Sequence, residues 1–340
     1  MKISISELDE LTTKAIAGFG YDEEETAAIR EILLYAQLRG NNQGVAKLIG
    51  KGIPRDPAAG KIVIEKETPL SARINGNRNH AMVVVRKALE IVIAKAEKSG
   101  FGIAGTYNTN TSSGAIGYVA SELARRGFIG FVFGRSPERV AMHGSYEPVF
   151  GTNPLAIGIP TGEDPIVLDM STAATSFYGL VVAVTEGRAI PGDMAYDASG
   201  EPTTSPGEAI KGAIRSFDRG YKGSGLGMIG EILAGPLVGA AFCGLGDSKG
   251  NWGHLIFAID PNLLGDRDEF QANVKQVIAR VKSTKRLPGV DEILVPGERG
   301  SRNAQESLEQ GEIDIEDNLL AELRKVAERR PSSQGSSSPR

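Results

Sequence analysis

The fold is decided by the stretch Gly151-Thr-Asn-Pro-Leu-Ala-Ile-Gly-Ile-Pro160, followed by Ile166-Val-Leu-Asp-Met-Ser171. It contains a polar turn, an apolar run of buried-strand length, a Pro/Gly break, and a second apolar run that ends in a carboxylate. The pattern predicts two buried strands, and ligand clefts of open α/β sheets usually lie at strand ends. The polar residues expected there are Thr152, Asn153, Asp169 and Ser171. An ordinary core hairpin with satisfied polar ends would have the same pattern, so the pattern alone leaves both interpretations open.

The bulk composition is that of an ordinary globular protein, with 340 residues of which 41% are hydrophobic and 24% charged. A chain of this length is past the size at which one hydrophobic core usually divides. The net charge of −4 gives no electrostatic reason to expect nucleic acid or an anionic membrane as a partner. The single cysteine, Cys243, cannot form an internal disulfide.

Metal binding and export are not predicted from the sequence. The three histidines, His80, His143 and His254, do not stand at metal-ligand spacing. The first residues lack the apolar core of a signal peptide, and no apolar run reaches transmembrane length. A cytoplasmic protein without a metal is the expectation.

Hydrophobic periodicity predicts an α/β protein. Two amphipathic helices are expected between residues 4 and 40, with further helices over 80–99, 115–126, 225–241, 269–283 and 316–328. Strands are expected over 62–64, 103–104 and 255–259, and a buried strand over 129–133. This alternation predicts a largely parallel or mixed sheet. Residues 331–340 contain no core-forming side chain and are expected to be disordered.

The wording of several separate motifs resembles the malate/L-lactate dehydrogenase family, which includes sulfolactate, ureidoglycolate and diketogulonate dehydrogenases and cyclic-imine reductases. The motifs are Phe150-Gly-Thr-Asn-Pro154, Leu168-Asp-Met-Ser171, Gly187-Arg-Ala-Ile-Pro191, Tyr221-Lys-Gly223, Ala258-Ile-Asp-Pro261 and Pro296-Gly-Glu298. The resemblance covers roughly residues 1 to 328 in the family's order.

The resemblance implies a non-Rossmann nicotinamide-binding α/β core with a mixed sheet, plus a helical cap domain built from both termini. Residues 1–75 with about 285–330 would form the cap and dimerisation domain, and residues 76–284 the cofactor-binding core. It also implies NAD or NADP as cofactor and a homodimer as the assembly. The Gly-x-Gly-x-x-Gly match at 225–230 is not a Rossmann fingerprint, because no buried strand precedes it. Its glycines are expected to allow close packing of an apolar helix.

Three segments are candidates for cofactor contact. Tyr221-Lys222-Gly223-Ser224 opens a predicted helix, where backbone N–H groups and a lysine can hold a pyrophosphate, although a solvated lysine at a helix start looks the same. The resemblance assigns cofactor contacts to this segment and to two others. The resulting set, with the two strand-end residues, is Thr152, Asn153, Asp169, Met170, Ser171, Tyr221, Lys222, Pro296, Gly297 and Glu298.

The catalytic candidates include departures from the family pattern. Typical members carry Ser-His-Gly after the second helix and an arginine three residues beyond the glycine; this chain has Gln43 for the histidine and Lys47 for the arginine. Where many members carry a second histidine, Ser112 or its neighbour stands here, in a polar loop that either caps a helix or binds a ligand. His143 is the histidine nearest the suspected cleft. Asp197 is most simply a turn residue, and a site carboxylate by the resemblance.

These departures affect the residues that would supply a proton to the reduced substrate. Hydride reduction of a ketone develops an alkoxide, and a positioned acid contributes roughly 10²–10⁴-fold. Glutamine cannot transfer a proton, while lysine can still attract a carboxylate. The favoured hypothesis is hydride transfer between the nicotinamide and C2 of a small 2-oxo or 2-hydroxy acid. In it Lys47 holds the carboxylate, Gln43 and Ser112 bind the reacting oxygen, and His143 or Lys47 supplies the proton.

Two alternatives remain open from the sequence. A cyclic-imine reductase on the same scaffold would accept hydride on a protonated imine with less help. A nicotinamide-binding protein without turnover would keep the fold and the cofactor site only.

Overall fold

The computed structural model describes residues 1–248 and 250–328. The described residues form two compact units: residues 1–57 together with 299–328, and residues 58–298. Among the described residues, no helix is both long and apolar enough to cross a bilayer. The predicted disorder of residues 331–340 lies outside the described residues.

The elements follow one another along the chain. The helices are α1 (Ile5–Gly18), α2 (Glu23–Leu38), α3 (Ala81–Ser99), α4 (Gly117–Arg125), α5 (Phe177–Thr185), α6 (Pro206–Lys211), α7 (Tyr221–Ala234), α8 (Arg267–Lys282), α9 (Glu298–Gln310) and α10 (Asp317–Ala327). The strands are β1 (Lys2–Ser4), β2 (Val63–Glu67), β3 (Ser71–Asn75), β4 (Phe101–Thr109), β5 (Ile129–Arg135), β6 (Val140–Ala141), β7 (Pro148–Phe150), β8 (Leu155–Ile159), β9 (Ile166–Met170), β10 (Ala195–Tyr196), β11 (Ala213–Ile214), β12 (Trp252–Ile259) and β13 (Glu312–Asp314).

The smaller unit is a helical assembly made from both ends of the chain. Helices α1, α2 and α10 bury apolar stripes, and β1 pairs antiparallel with β13, which joins the N-terminal part to the C-terminal part. Asp22 starts α2 with a complete capping box, in which its carboxylate and that of Glu25 each accept the other's backbone N–H. A 3₁₀ turn, Val45–Leu48, packs on α1, α2 and α10 and carries Lys47.

The larger unit is built on a seven-stranded mixed sheet with the order β2-β3-β4-β12-β5-β8-β9. Only β3 and β4 pair in parallel within it; the other neighbours are antiparallel. Helices α3 and α4 cover one face, while α7 and the chain after it cover the other, where Val238 and Leu255 share a core cluster. Mixed α/β architecture is therefore confirmed.

A second, four-stranded sheet has the order β10-β11-β6-β7 and packs with α5 and α6 around its own core. That core includes Val140, Phe150, Leu180 and Ile214. Because β7 ends at Phe150, this sheet leads directly into the Gly151–Pro154 turn.

Two differences between the structure and the sequence prediction concern the bounds of one helix and the bounds of the units. The apolar helix predicted over 225–241 runs from Tyr221 to Ala234, because Gly220 starts it and Gly235-Pro236 follows its end. The unit boundaries lie at 57/58 and 298/299, whereas 75 and 285 were predicted. The first boundary lies at 57/58 and not at 75, because the hairpin β2–β3 joins the large sheet through β4.

Candidate active site

The Gly-Thr-Asn-Pro turn lies beside the end of β9. Strands β8 and β9 form the predicted antiparallel hairpin, with Leu155 opposite Met170, so the start of one strand adjoins the end of the other. The carbonyl oxygen of Thr152 accepts three hydrogen bonds, from the Ser171 hydroxyl at 2.9 Å and from the Thr172 N–H and hydroxyl at 3.0 and 3.1 Å. These bonds join the Thr152–Asn153 segment and the Ser171–Thr172 segment into one polar wall.

Asn153 fastens this wall to α7. Its φ of +33° is unusual for a residue with a side chain. The Asn153 amide donates to the Glu231 carboxylate at 2.7 Å and to the Gly227 carbonyl at 3.1 Å. Its Oδ1 atom is buried and has no hydrogen-bond partner among the described residues. A Cβ atom at Gly227 would lie 3.3 Å from the Thr172 hydroxyl, so this glycine allows the close approach, as the sequence predicted.

A buried ionic network holds α7 from the other side. The Arg135 guanidinium, fully buried, donates to Glu231 Oε1 at 3.1 Å, to the Ser248 carbonyl at 3.0 Å, and to Glu138. Glu231 also accepts from the Cys243 N–H at 2.9 Å. The network thus ties the end of β5, helix α7 and the chain beyond it together, and through Glu231 it orients the Asn153 amide.

The first turn of α7 presents Tyr221 and Lys222 to solvent. Asp218 caps this end, because its carboxylate accepts from the Gly220 and Gly223 N–H groups at 2.9 and 3.0 Å. Within the predicted anion cradle Tyr221–Ser224, the Gly223 N–H is therefore already satisfied, and the Ser224 N–H donates to the Gly220 carbonyl at 3.3 Å. The Lys222 side chain and the N–H groups of Tyr221 and Lys222 are what this end offers an anion.

His143 lies at the same end of α7. Its backbone N–H donates to the Ser224 hydroxyl at 3.0 Å, and its ring contacts the Tyr221 ring edge-on with 6.4 Å between centroids. The loop histidine and the helix start, which are far apart in sequence, are thus brought together on an exposed surface.

Asp169 joins the end of β9 to the start of α4. One carboxylate oxygen accepts from the Gly117 N–H at 2.9 Å. Although Asp169 remains accessible to solvent, burial by the surrounding protein raises the pKa of its carboxyl to about 6, and the Gly117 bond partly opposes that rise. Ser112 belongs to the loop that leads into α4, where its hydroxyl accepts from the Gly114 N–H at 3.3 Å.

The Pro296-Gly297-Glu298 turn runs along β9. The Pro296 carbonyl accepts from the Val167 N–H at 3.1 Å, and a Cβ at Gly297, whose φ is +86°, would come within 2.9 Å of the Val167 carbonyl. Glu298 pairs with Lys282 and accepts from the Val295 N–H. This turn therefore lies beside the strand that ends in Asp169 and Met170.

Asp197 lies in a surface turn. One of its carboxylate oxygens accepts from the Ser199 hydroxyl, the Ser199 N–H and the Glu201 N–H at 2.7 to 3.0 Å. These bonds, that from the Ser199 hydroxyl above all, hold the pKa of Asp197 below its usual value. The geometry is that of the turn residue that the sequence suggested.

Gln43 and Lys47 belong to the smaller unit. The Gln43 amide donates to the Asn42 side chain at 3.0 Å. Gly44 is required here, because a Cβ would lie 2.4 Å from the side-chain oxygen of Gln37. Burial lowers the pKa of the Lys47 ammonium to about 8, so this lysine is a stronger acid than an ordinary one.

A nicotinamide dinucleotide fits the chemistry of the larger unit. The polar wall at Thr152 and Ser171, the buried unpartnered oxygen of Asn153 and the exposed Lys222 supply acceptors, donors and a positive charge in one region. No group of three or more His, Cys, Asp or Glu side chains within residues 1–248 and 250–328 is arranged to hold a metal ion.

Four residues of this region escaped the sequence analysis: Arg135, Glu138, Asp218 and Glu231. A carboxylate at position 231, inside an otherwise apolar helix, was a signal that a buried partner must exist. An acidic residue two positions before a helix-opening glycine was a signal for a cap. Neither signal identifies its partner.

Comparisons with known proteins agree with this architecture. The sequence profile of malate/L-lactate dehydrogenases matches residues 3–324. The L-sulfolactate dehydrogenase of Methanothermobacter thermautotrophicus is 35% identical over 340 residues, covering 96% of either chain. The ureidoglycolate dehydrogenase (NAD(+)) of Escherichia coli is 29% identical, covering 95% of either chain.

A reductase and a solved structure extend the comparison. The Delta(1)-pyrroline-2-carboxylate/Delta(1)-piperideine-2-carboxylate reductase of Pseudomonas putida is 30% identical over 255 residues, covering 73% of this chain and 72% of that one. The crystal structure of malate dehydrogenase from Entamoeba histolytica superposes with a TM-score of 0.86 at 26% identity, covering 96% of this chain and 97% of that chain. These matches confirm the resemblance that the motifs indicated.

Proposed function

The chain belongs to the malate/L-lactate dehydrogenase family, and on that premise we propose that it transfers hydride between its cofactor and C2 of a small 2-oxo or 2-hydroxy acid. It is an oxidoreductase that depends on NAD or NADP. The observation that carries the proposal is the wall in which the Thr152 carbonyl binds Ser171 and Thr172 while Asn153 binds α7. This wall joins three separate family motifs into one surface.

The cofactor, when bound, supplies or accepts the hydride. Thr152, Asn153 and Ser171 would hold its nicotinamide half through their polar groups, and Tyr221 and Lys222 would contact it from the start of α7. Asp169, Met170 and the Pro296–Glu298 turn would complete the contacts along β9. Because the wall is fixed by its own hydrogen bonds, little ordering cost remains at binding.

The substrate side uses the departures from the family pattern. Lys47 attracts the substrate carboxylate and donates the proton; its pKa of about 8 still leaves the ammonium mostly charged at neutral pH, and the lowering makes it a better proton donor. The sequence hypothesis names Gln43 and Ser112 as hydrogen-bond donors to the reacting oxygen, and His143 is the second candidate for the proton. Asp197 is left out of this proposal, because one of its carboxylate oxygens is bound in its turn.

A second candidate function is reduction of a cyclic imine that carries a carboxylate. The replacement of both histidines of the family pattern, by Gln43 and by a serine at or beside 112, favours it. A protonated imine already carries the positive charge that a ketone acquires only from an acid. The similarity to the imine reductase of Pseudomonas putida agrees with this alternative.

We also propose that the protein works as a homodimer in the cytoplasm, where the nicotinamide cofactors are available. Helix α7 exposes Met228, Ile229 and Ile232 at 44, 50 and 42%, and such contiguous apolar surface is typical of an interface. Light scattering should give the mass of two chains. Replacing Ile229 and Ile232 together by glutamate should reduce the mass to that of one chain, and an unchanged dimer would exclude this face.

Binding and turnover together test the proposed function. NADH and NADPH are titrated by fluorescence, and 2-oxo acids and cyclic imines are then screened for loss of nicotinamide absorbance. Oxidation of cofactor with pyruvate, oxaloacetate or another 2-oxo acid is expected; turnover of cyclic imines alone would select the second candidate. Binding without any turnover would show a silent cofactor-binding protein, and binding of neither cofactor would refute the proposal.

A further inference from the structure

Arg139 is a half-buried cation without an anionic partner. It lies between strands of the four-stranded sheet, where its N–H donates to the Phe150 carbonyl at 2.6 Å and its carbonyl accepts from the Ile214 N–H at 2.8 Å. The central carbon of the guanidinium lies over the Phe177 ring, 4.1 Å from its centroid. Within residues 1–248 and 250–328 this guanidinium makes no ion pair and no hydrogen bond.

Two other buried or half-buried arginines of the larger unit have acidic partners. Arg135 is paired with Glu138 and Glu231, and Arg267 with Asp260 at 2.8 Å. A guanidinium carries five N–H donors, and leaving them partly desolvated without an acceptor costs free energy. The stack on Phe177 holds the plane of Arg139 in place but satisfies none of these donors.

A second arginine stands on the neighbouring strand. Arg215 follows Ile214, which pairs with Val140, so the two arginines flank one register position of β6 and β11. The Arg215 guanidinium lies over the Tyr196 ring and donates to the Arg219 carbonyl at 3.0 Å; among the described residues it has no carboxylate partner. Two neighbouring cations without counter-charge repel each other, and a bound anion would remove that repulsion.

Both arginines adjoin the segments assigned to the cofactor. Phe150, bonded to Arg139, directly precedes the Gly151–Pro154 turn. The Arg215 carbonyl accepts from the Ala174 N–H at 2.8 Å, three residues beyond Ser171, and Phe177 follows in the same segment. The backbone of each arginine is therefore bonded to a segment that adjoins the cofactor wall.

Resting on the proposed function, we propose that Arg139, supported by Arg215, binds a phosphate group of the dinucleotide cofactor. The planar guanidinium presents two parallel N–H donors that match phosphate oxygens, and Phe177 fixes its orientation beforehand. The phosphate is either the pyrophosphate, common to both cofactors, or the 2′-phosphate of NADPH, and the experiment distinguishes them.

The test measures the Kd of NADH and of NADPH for the wild type and for Arg139→Met, which keeps apolar contact with Phe177 but removes the donors. An increase of about tenfold or more, equivalent to about 1.4 kcal/mol, is expected. A rise for both cofactors identifies the pyrophosphate, and a rise for NADPH alone the 2′-phosphate. Arg125→Met, which removes an exposed arginine paired with Asp164, is the matched control and should leave both values unchanged.

Kd values of Arg139→Met within about threefold of the wild type for both cofactors would overturn the proposal. Should Arg139→Met fail to fold, Arg139→Lys keeps the charge without the fork and should weaken the same cofactor to a smaller degree; equal binding by this variant would also overturn it. If the wild type itself binds neither cofactor, the proposed function fails, which is a different result.

Discussion

Lys47 is where the chemistry of a single residue decides the reaction. An ammonium with a pKa near 8 is largely protonated at neutral pH, yet it gives up a proton more readily than an ordinary lysine. In the reductive direction the rate depends on the protonated form, so kcat/KM should fall as the pH rises through about 8. In the oxidative direction it depends on the neutral amine, so kcat/KM should rise over the same interval.

Replacing Lys47 separates its two roles. Lys47→Met should lower kcat/KM for reduction by roughly 10²–10⁴-fold. Lys47→Arg keeps a positive charge for the substrate carboxylate, so KM should recover while kcat stays low. The change of kcat/KM with pH near 8 should disappear in this variant. Lys14→Met, which removes an exposed lysine paired with Glu10, is the control. If the change of kcat/KM near pH 8 persisted in Lys47→Arg, the proton would come from another group, and His143 would be the next residue to replace.

At the scale of the element, α7 depends on one buried carboxylate. Glu231 binds Arg135, the Cys243 N–H and the Asn153 amide at once, and removing one partner of a buried ion pair typically costs about 3–5 kcal/mol. Glu231→Ala should lower the free energy of unfolding by this amount in denaturant titrations. Glu208→Ala, which breaks the exposed pair with Lys211 on α6, should change it by less than about 1 kcal/mol. Equal, small effects would mean that the network contributes little.

The same helix shows what the sequence can predict. Its apolar character was predicted, because it follows from local composition. Close packing was predicted for its glycines, which holds at Gly227 but not at Gly225, where a Cβ would meet no atom within 4 Å. The bond between Asn153 and Glu231 was not predicted, since it joins residues 78 positions apart. Hydrophobic periodicity predicts which face of a helix is buried. A buried carboxylate predicts that it has a partner but does not identify the partner. The positive φ of Asn153 was not predicted either.

For the whole molecule, the strand patterns and the family motifs predicted the α/β class and the β8–β9 hairpin. The hairpin was predictable because its apolar runs are buried and bounded by Pro and Gly. The division into units was harder to predict. Strand β2 is exposed along its whole length, so it carries no apolar alternation, and only its pairing with β3 places it in the larger unit. The short helix α5 was missed for the opposite reason, since its uniformly apolar sequence shows no helical period.

The stability of the whole molecule should depend on His254, which is fully buried at the centre of the large sheet. Its Nδ1 shares a 3.0 Å hydrogen bond with the Thr106 hydroxyl, and its Nε2 has no partner among the described residues. Burial lowers the pKa of this imidazole to about 4, from an ordinary value near 6.5. The folded protein thus resists protonation between these two values, while the unfolded chain does not.

The direction in which the free energy of unfolding changes with pH follows from proton binding in the folded and unfolded states. Above pH 6.5 the imidazole is neutral in both states; as the pH falls from 6.5 to 4, the unfolded chain binds the proton first, and the free energy of unfolding falls by roughly 3 kcal/mol. His254→Gln keeps a hydrogen-bonding side chain without titration, so its loss of stability between pH 7 and pH 4.5 should be smaller than that of the wild type by roughly 2–3 kcal/mol. Asp169, with its raised pKa, acts in the opposite direction but equally in both proteins, so it cancels in the comparison. His143→Gln, at an exposed position, should lose as much stability as the wild type; a His254→Gln protein that did the same would show that His254 is not the group responsible.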